Sequence, residues 1–318
     1  MPDSALTQFL SVIVEEIRRM WWFFLVACLL VGIIKGYKLD LKIRHAVNRS
    51  GFWGILIAIA VGMVSPLCAC GILPVVISLA LMGTPLPPLM ALLATSPTMG
   101  PDALLLTWRG LGSDLAIWKI IGSGVLGLCA GAVTLMLERR GWLNSDLVRL
   151  KPVYREDGTL ASAHEVGKAY GIKLKTMTVE PRANRARFIF DRTVDAALFT
   201  GKFLLLAIVL EALLVTFVPI SWITVLVGQP GIQSLVAASL IGLPLPSNQI
   251  PIIPILAGLI ERGIDPGAAL TLLLAGPVTS LPAIIALWGM FHRRVVGVFL
   301  AVGLCASIGV GWIYQLTL

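Results

Sequence analysis

Residues 51–101 carry no Asp, Glu, Lys or Arg side chain. Because a helix crosses the hydrocarbon core of a bilayer with about 20 apolar residues, this stretch is long enough for more than one membrane segment. It is not typical of one smooth helix, since Cys68 and Cys70 lie one residue apart between Pro66 and Pro74. Lipid does not tolerate exposed irregular backbone, so we expect this broken stretch to line a site that protein buries.

The composition of the whole chain agrees with a membrane protein. Hydrophobic residues make up 57% of its 318 residues and charged residues only 13%, whereas soluble domains carry about a quarter charged residues. The mean hydropathy is +0.91. We therefore predict an all-α polytopic membrane protein. The location that we expect for it is the bacterial inner (plasma) membrane. The lipid bilayer is its expected partner, and nothing in the sequence points to nucleic acid.

The positive charge of the chain, +8 in total, is concentrated in two stretches. Residues 35–49 hold five Lys and Arg against one acid, and residues 139–195 hold twelve against seven. Basic loops beside membrane helices mark the cytoplasmic side. We therefore divide the chain into a first transmembrane repeat (1–138), a basic cytoplasmic linker (139–195) and a second transmembrane repeat (196–318).

Apolar runs predict about ten membrane segments, five in each repeat. Two of these runs, residues 72–82 and 252–260, are too short to span comfortably and are interpreted as half-helices or re-entrant segments. The longer ones cover residues 20–34, 51–67, 86–108, 115–137, 196–218, 233–245, 268–288 and 295–316.

The second repeat resembles the first at one constant spacing, without a gap. We call this spacing, which separates Pro74 from Pro254, the repeat offset. With both basic stretches inside, each repeat crosses the membrane an odd number of times, so the second repeat is predicted to be inverted. Inverted repeats whose short broken helices meet near the midplane are a transporter architecture. Proline, glycine and tryptophan recur at the repeat offset in the pairs Pro66/Pro246, Pro74/Pro254, Gly83/Gly263, Pro97/Pro277, Trp108/Trp288 and Gly131/Gly311.

The pair Cys68 and Cys70 is the first candidate binding site, for a substrate or a metal ion. Thiolates favour soft partners such as Cu(I) and zinc, and by the same logic trivalent arsenic. A half-helix beginning near Ile72 would direct free N–H groups at the break, which favours the thiolate form. The alternative is that two small residues simply let helices pack closely.

Polar side chains at three further breaks are candidate substrate ligands. They are Thr95, Ser96 and Thr98 in the first repeat, and Ser247, Asn248, Gln249, Thr279 and Ser280 in the second. Alternatively, these groups only satisfy the backbone carbonyls that membrane prolines set free.

Two acids lie within predicted spans and are candidates for proton coupling. Asp102 follows the break at Pro97, and Glu211 lies in the middle of residues 196–218. A charge at the bilayer centre costs at least roughly 2.5–3.5 kcal/mol, so such residues usually face a cavity or relay protons. The alternative is an acid that is hydrogen-bonded between helices or neutral.

The motifs resemble those of the ArsP/YraQ-type permeases. Residues 66–74 and 96–102 are similar to the first-half signature of that family, and residues 273–280 to its second-half signature. The resemblance covers both transmembrane repeats and leaves out the linker. It implies efflux of trivalent organoarsenicals or, in a related branch, of copper and zinc, with Cys68 and Cys70 carrying the cargo.

The sequence departs from the family pattern at three places. Ala69 stands where Ser is common, and Thr98-Met99 stands where Gln-Thr is common. In the second break, residues 247–249 hold no thiol, where the family often has Cys. We therefore expect an asymmetric site, with soft ligands on the Cys68 and Cys70 side and hydrogen-bonding groups on the other.

These observations favour a secondary exporter of a soft, thiol-reactive cargo over two alternatives. One is a permease for another small polar or sulfur-containing solute, and the other is a membrane thiol-redox protein. No phosphate-binding Gly-x-x-x-x-Gly-Lys-Ser/Thr motif occurs in the chain, so an ion gradient or a partner ATPase is expected to supply the energy. We expect no resident cofactor and no enzymatic activity, and a homo-oligomer is compatible with all three hypotheses.

Overall fold

The computed structural model describes residues 51–65, 84–143, 231–242, 263–280 and 291–317. It also describes a set of isolated positions, namely 11, 13, 14, 18, 21, 29, 72, 75, 76, 79, 80, 190, 193, 194, 209, 253, 256–258, 260, 284, 287 and 288. The described secondary-structure elements are all helices, which confirms the all-α prediction for this part of the chain.

The helices of the first repeat are α1 (Gly51–Val64), α2 (Leu86–Thr95), α3 (Pro101–Leu111) and α4 (Ser113–Arg139). Those of the second are α5 (Ile232–Gly242), α6 (Pro266–Thr279) and α7 (Arg293–Thr317). Among the described residues, α4 and α7 are long and apolar enough to cross a membrane, with 27 and 25 residues. At 1.5 Å per residue they measure about 40 and 38 Å, which exceeds a hydrocarbon core of about 30 Å.

Proline and capping residues set where the helices begin and end. Pro101 and Pro266 occupy the first helical position, where the missing N–H costs nothing. Asp265 caps α6, because its Oδ2 accepts a hydrogen bond of 3.1 Å from the N–H of Ala268. Helix α2 ends at Thr95, just before Pro97, so the predicted span 86–108 is two helices separated by a break, as its prolines indicated.

Equivalent helices pack in the same way in the two repeats. Helices α1, α2 and α4 contact one another, as do α5, α6 and α7. A Cβ built on Gly62 would lie 3.3 Å from the Ser96 nitrogen, and at the repeat offset a Cβ on Gly242 would lie 3.3 Å from the Gly276 nitrogen. The starts of α2 and α6, and those of α4 and α7, are also separated by the repeat offset. One three-helix arrangement therefore occurs twice.

The two long helices pack against each other in opposite directions. The rings of Trp118 and Tyr314 lie with their centroids 5.3 Å apart. One turn further along α4, a Cβ on Gly122 would lie 3.1 Å from Cγ1 of Val310, one turn back along α7. Because the contact advances on α4 and retreats on α7, the helices are antiparallel. The main apolar core includes residues of both repeats.

The short segments are described only in part. Positions 72, 75, 76, 79 and 80 are helical and buried, a spacing that places them on one face of a helix. Positions 253, 256–258 and 260 are also helical. Residues 30–50, 144–189 and 210–230 lie outside the described residues, so the predicted linker and the number of spans stay predictions.

Candidate functional site

The break between α2 and α3 is irregular backbone inside the protein. Thr95 and Thr98 are fully buried, and Ser96 is buried almost as completely. The N–H groups of Thr98 and Met99 both donate to the carbonyl oxygen of Thr95, at 3.2 and 3.1 Å, which closes a tight turn around Pro97. The break therefore has the environment expected for a broken segment at membrane depth, where protein replaces lipid.

The threonine hydroxyls at the breaks donate to their own chain. Thr95 Oγ1 donates to the carbonyl oxygen of Ala91 at 2.9 Å, and Thr98 Oγ1 to that of Thr95 at 2.9 Å. In the second repeat, Thr279 Oγ1 donates to the carbonyl oxygen of Ala275 at 2.8 Å. Because each proton is used locally, these hydroxyls can meet a ligand only as acceptors through their remaining lone pairs.

The second repeat accommodates its proline differently. Pro277 lies inside α6, which continues to Thr279. Ser280 follows the helix, is 8% exposed, and its carbonyl oxygen accepts from the N–H of Ile284 at 3.0 Å. The Pro97 break and the Pro277 region are thus equivalent in sequence position, but the backbone is non-helical around Pro97 and helical at Pro277.

Helix α4 passes beside the Pro97 break, and α7 passes beside the equivalent Pro277 region. A Cβ on Gly127 of α4 would overlap the Thr95 side chain at the end of α2. On α7, a Cβ on Gly303 would lie 3.2 Å from Cγ1 of Val278 and 3.9 Å from Cγ2 of Thr279. Because α4 and α7 also pack against each other, the Pro97 break and the Pro277 region border the same pair of helices.

Helix α4 also carries a fully buried lysine, which the sequence interpretation missed. Lys119 is 0% exposed, and its Nζ donates to Thr107 Oγ1 of α3 at 3.1 Å. Thr107 Oγ1 in turn donates to the carbonyl oxygen of Ala103 at 2.6 Å. The signal was available, since Lys119 stands inside the predicted span 115–137 and the rule that selected Asp102 applies to it equally.

Ser123 is a second residue that sequence reasoning missed. It is 0% exposed and lies one helical turn from Lys119 on α4. Its Oγ has no hydrogen-bond partner among the described residues. A buried hydroxyl without a partner is costly, so this position differs from the nearby threonines, whose hydroxyls are all hydrogen-bonded. The helical spacing from Lys119 was the available signal.

Several predicted site residues lie outside the described residues. They are Cys68, Cys70, Glu211, Ser247, Asn248 and Gln249. Asp102 lies in the first turn of α3, where the structure describes the backbone but not the side chain. Within the described part of the chain, no group of three or more His, Cys, Asp or Glu side chains could hold a metal ion.

The described residues that include α1 end at Ser65, shortly before the cysteines in the sequence. Gly62 of α1 packs against Thr95 and Ser96. Its helix ends at Val64, and the N–H of Ser65 donates to the carbonyl oxygen of residue 61 at 3.0 Å. Cys68 follows Ser65 closely in the chain, and the stretch between them reaches at most about 11 Å.

Comparison with known proteins gives one family and two partial relatives. A profile of the ArsP_1 family, described as predicted permeases, matches residues 5–316. The UPF0718 protein YcgR of Bacillus subtilis is 29% identical over 113 residues, 36% of each chain. A Streptococcus mutans protein, named as a putative two-component membrane permease complex subunit, is 28% identical over 138 residues, 42% of this chain and 44% of its own. The chain thus aligns with less than half the length of either relative. No solved structure matches.

Proposed function

The chain belongs to the ArsP_1 family of predicted permeases, and from this premise we propose that it exports a soft, thiol-reactive cargo as a secondary transporter. The membrane-permease class follows from the family. The cargo that we propose is a trivalent organoarsenical or a soft metal ion, bound by Cys68 and Cys70. The bacterial inner membrane is its proposed location, with residues 139–195 on the cytoplasmic side.

The single observation that carries this proposal is the buried break at Thr95–Ser96–Thr98, flanked by α1 and α4. Irregular backbone at membrane depth is tolerated where it is buried in protein or lines a cavity, and in transporters it holds the substrate. Gly62 packs directly on this break, and the same chain continues to Cys68 within about 11 Å of Ser65. We propose that both thiols lie close to this buried break.

The packing of the two repeats supports an alternating-access mechanism. Helices α4 and α7 occupy positions related by the repeat offset, and they pack antiparallel through Trp118 with Tyr314 and Gly122 with Val310. Equivalent helices that run in opposite directions are what an inverted repeat produces. We propose that one repeat rocks against the other around the breaks, exposing the site to each side in turn.

Cargo binding is proposed to use ligands of two kinds. The thiols would hold the soft atom. Asp102 or Glu211 would carry the coupling proton, since an acid within a span is costly and usually marks a proton relay or a substrate pathway. Oxygen lone pairs would complete the pocket, from Thr95, Ser96 and Thr98 in the first repeat and from Ser247, Asn248, Gln249, Thr279 and Ser280 in the second.

A partner subunit is a further element of the proposal. The name of the Streptococcus mutans relative describes a putative subunit of a two-component permease complex. The chain itself has no phosphate-binding loop motif, so an ion gradient or a second subunit would supply the energy. Purification of the tagged chain from its native membrane, followed by mass determination of the intact complex, distinguishes a second subunit from a homo-oligomer.

Uptake into everted vesicles tests the proposed cargo. Wild-type vesicles are offered methylarsenite, arsenite, Cu(I) and Zn²⁺ in parallel, and we expect accumulation of at least one. Cys68→Ser and Cys70→Ser should each abolish that uptake at unchanged expression. Full uptake by the Cys68→Ser/Cys70→Ser double variant would overturn the proposal.

The matched controls for this experiment are Cys129→Ser and Cys305→Ser. Both thiols are free, and Cys305 is exposed. Cys129 lies on the opposite side of α4 from Gly127, the residue that faces the break. Uptake by either control variant should therefore equal that of the wild type.

A further inference from the structure

Helices α4 and α7 meet along a line that we call the seam, which joins the two repeats. A Cβ on Gly122 of α4 would lie 3.1 Å from Cγ1 of Val310 of α7, and the two helices are antiparallel. One turn further along α4 and one turn back along α7, Leu126 comes opposite Ala306. These two residues are equivalent to each other at the repeat offset, and both pack in the main core. A pseudo-twofold axis that exchanges the repeats therefore crosses the seam at this pair.

The axis relates every contact on one side of Leu126 to an equivalent contact on the other side. Exchange of the repeats maps Gly122 onto Val302 and maps Val310 onto Ala130. Val302 and Ala130 both pack in the main core, as expected for the equivalent contact across the seam. The seam is therefore compatible with both arrangements of the two repeats that the exchange relates.

A second contact between the repeats occurs on one side of the axis only. A Cβ on Gly122 would lie 2.5 Å from Cδ1 of Leu274, a fully buried residue of α6, so that α4 packs against α6 of the other repeat. The equivalent contact would join Val302 of α7 to Ala94 of α2. Among the described helices, α7 has no comparable contact with α2. The structure thus makes one of two equivalent contacts.

The residues of both pairs have complementary sizes. Gly122 leaves room for Leu274, and in the equivalent pair Val302 is the larger residue and Ala94 the smaller one. The large residue lies on α6 in the first pair and on the long helix α7 in the second. Packed interfaces bring complementary volumes together, so we expect such matching where both contacts are made at different times.

The two contacts lie on opposite sides of the axis. Gly122 lies about 6 Å from Leu126 toward the N-terminus of α4, and Val302 lies about 6 Å from Ala306 toward the N-terminus of α7. Helix α4 leads into residues 139–195, which we propose to be cytoplasmic, and α7 runs the opposite way. We therefore call the Gly122 pair the outer contact and the Val302 pair the inner contact.

We propose that the outer contact, Gly122 with Leu274, and the inner contact, Val302 with Ala94, are the two gates of the transporter and close alternately. This inference rests on the proposed function, since a transporter needs a site that opens to each side in turn. The structure shows the state with the outer contact closed. Rocking of one repeat about the seam separates α4 from α6 and brings α7 onto α2, so that the two states exchange the roles of the repeats.

Cysteine cross-linking in the full chain tests the two contacts without any transport assay. The five native cysteines are replaced, a protease site is inserted into residues 139–195, and membranes are treated with a short bifunctional methanethiosulfonate. After cleavage, the two halves of the chain stay together on a denaturing gel only where a cross-link joins them. We expect cross-linking in Gly122→Cys/Leu274→Cys and also in Ala94→Cys/Val302→Cys, because the reagent traps each state as it occurs.

Two pairs that share these residues are the matched controls. Ala130→Cys/Val302→Cys joins the repeats across the seam and should cross-link in either state. Gly124→Cys/Leu274→Cys should not, because a Cβ on Gly124 would meet no described atom within 4 Å. No cross-link in Ala94→Cys/Val302→Cys, when the pair across the seam does cross-link, overturns the inference.

A substitution that fills the space beside Leu274 gives a second test. The methyl group of Gly122→Ala would overlap the buried Leu274 side chain, so it disfavours the outer contact and shifts the population toward the other state. We expect the rate of cross-linking in Ala94→Cys/Val302→Cys to rise about threefold or more. Gly124→Ala, which adds its methyl group in open space, should leave that rate unchanged. An unchanged or lower rate in Gly122→Ala contradicts the alternation.

Cargo uptake separates this inference from the proposed function. If the inner contact never cross-links while Cys68→Ser abolishes uptake, the alternation is wrong and the proposed function stands. If the cysteine variants of the cargo site transport normally, the proposed function fails, and the cross-linking result alone then decides the alternation.

Discussion

The two repeats of this protein pack alike and differ in their buried chemistry. Gly62 and Gly242 lie equally near the backbone nitrogens of the equivalent residues Ser96 and Gly276, and the starts of α4 and α7 are separated by the repeat offset. Yet Lys119 is fully buried in the first repeat where Phe299 is buried in the second. The packing therefore does not select the polar residues, and we propose that function lies beside the break that follows Thr95. The cysteine pair, which occurs only in the first repeat, is consistent with that proposal.

Among substitutions made at equivalent positions of the two repeats, the largest effect should come from replacing the buried lysine. Lys119→Met keeps a long apolar side chain, and the packing of Phe299 shows that an apolar group fits the equivalent position. We expect uptake to fall about tenfold or more, the equivalent of about 1.4 kcal/mol, because an ionisable side chain buried within a membrane span usually serves transport. Initial rates of vesicle uptake at equal amounts of folded protein measure this.

Phe299→Met is the control at the equivalent position, where the exchange of one apolar side chain for another should leave uptake unchanged. Lys119→Arg, which keeps the charge, should retain more uptake than Lys119→Met. Equal uptake by wild type and Lys119→Met would show that the difference between Lys119 and Phe299 does not affect transport.

The next effect concerns the close approach of α1 to the break. A Cβ on Gly62 would overlap Thr95 Oγ1, whereas a Cβ on Gly242 would find its nearest atoms at 3.3 Å, on Gly276. Gly62→Ala should therefore destabilise the protein by about 1–3 kcal/mol, and Gly242→Ala by less. Thermal unfolding in detergent compares the two variants. An equal Tm for both variants would show that α1 packs no more tightly on Thr95 than α5 packs on Gly276.

The smallest effect concerns helix capping. Asp265 caps α6 through Ala268, whereas Pro85, its equivalent before α2, makes no side-chain cap. Asp265→Ala should cost about 0.5–2 kcal/mol. Pro85→Ala should change the unfolding midpoint less, because no cap is lost. A larger shift for Pro85→Ala than for Asp265→Ala would contradict this assignment of the two helix starts.

Proline chemistry made the break predictable from sequence. Pro97 lacks an N–H and disfavours helix at the residue before it, so a split in residues 86–108 was expected, and the structure places it between Thr95 and Pro101. The repeat was predicted for a related reason, because proline and glycine that recur at a fixed offset indicate recurring backbone geometry. The backbone nevertheless differs at Pro97 and Pro277.

Other features of the site could not be predicted from sequence. A lysine in an apolar span can extend to the membrane surface or be buried, and only the packing of α3 on α4 decides that Lys119 is buried. The hydrogen bond of Thr95 was equally unpredictable. Its hydroxyl could have faced a ligand, but in the structure it donates to the carbonyl oxygen of Ala91 in its own helix. Neither could the antiparallel packing of α4 on α7 be predicted from either helix alone.

X-ray absorption at the edge of the transported metal or metalloid tests the central claim most directly. The purified full-length protein is loaded with whichever cargo wild-type vesicles accumulate, and the ligands of the bound atom are counted. We predict two sulfur ligands in wild type, one in Cys68→Ser and one in Cys70→Ser, with Cys129→Ser unchanged. A bound atom with no sulfur ligand, or one whose ligands are the same in wild type and the Cys68→Ser/Cys70→Ser double variant, would contradict the account.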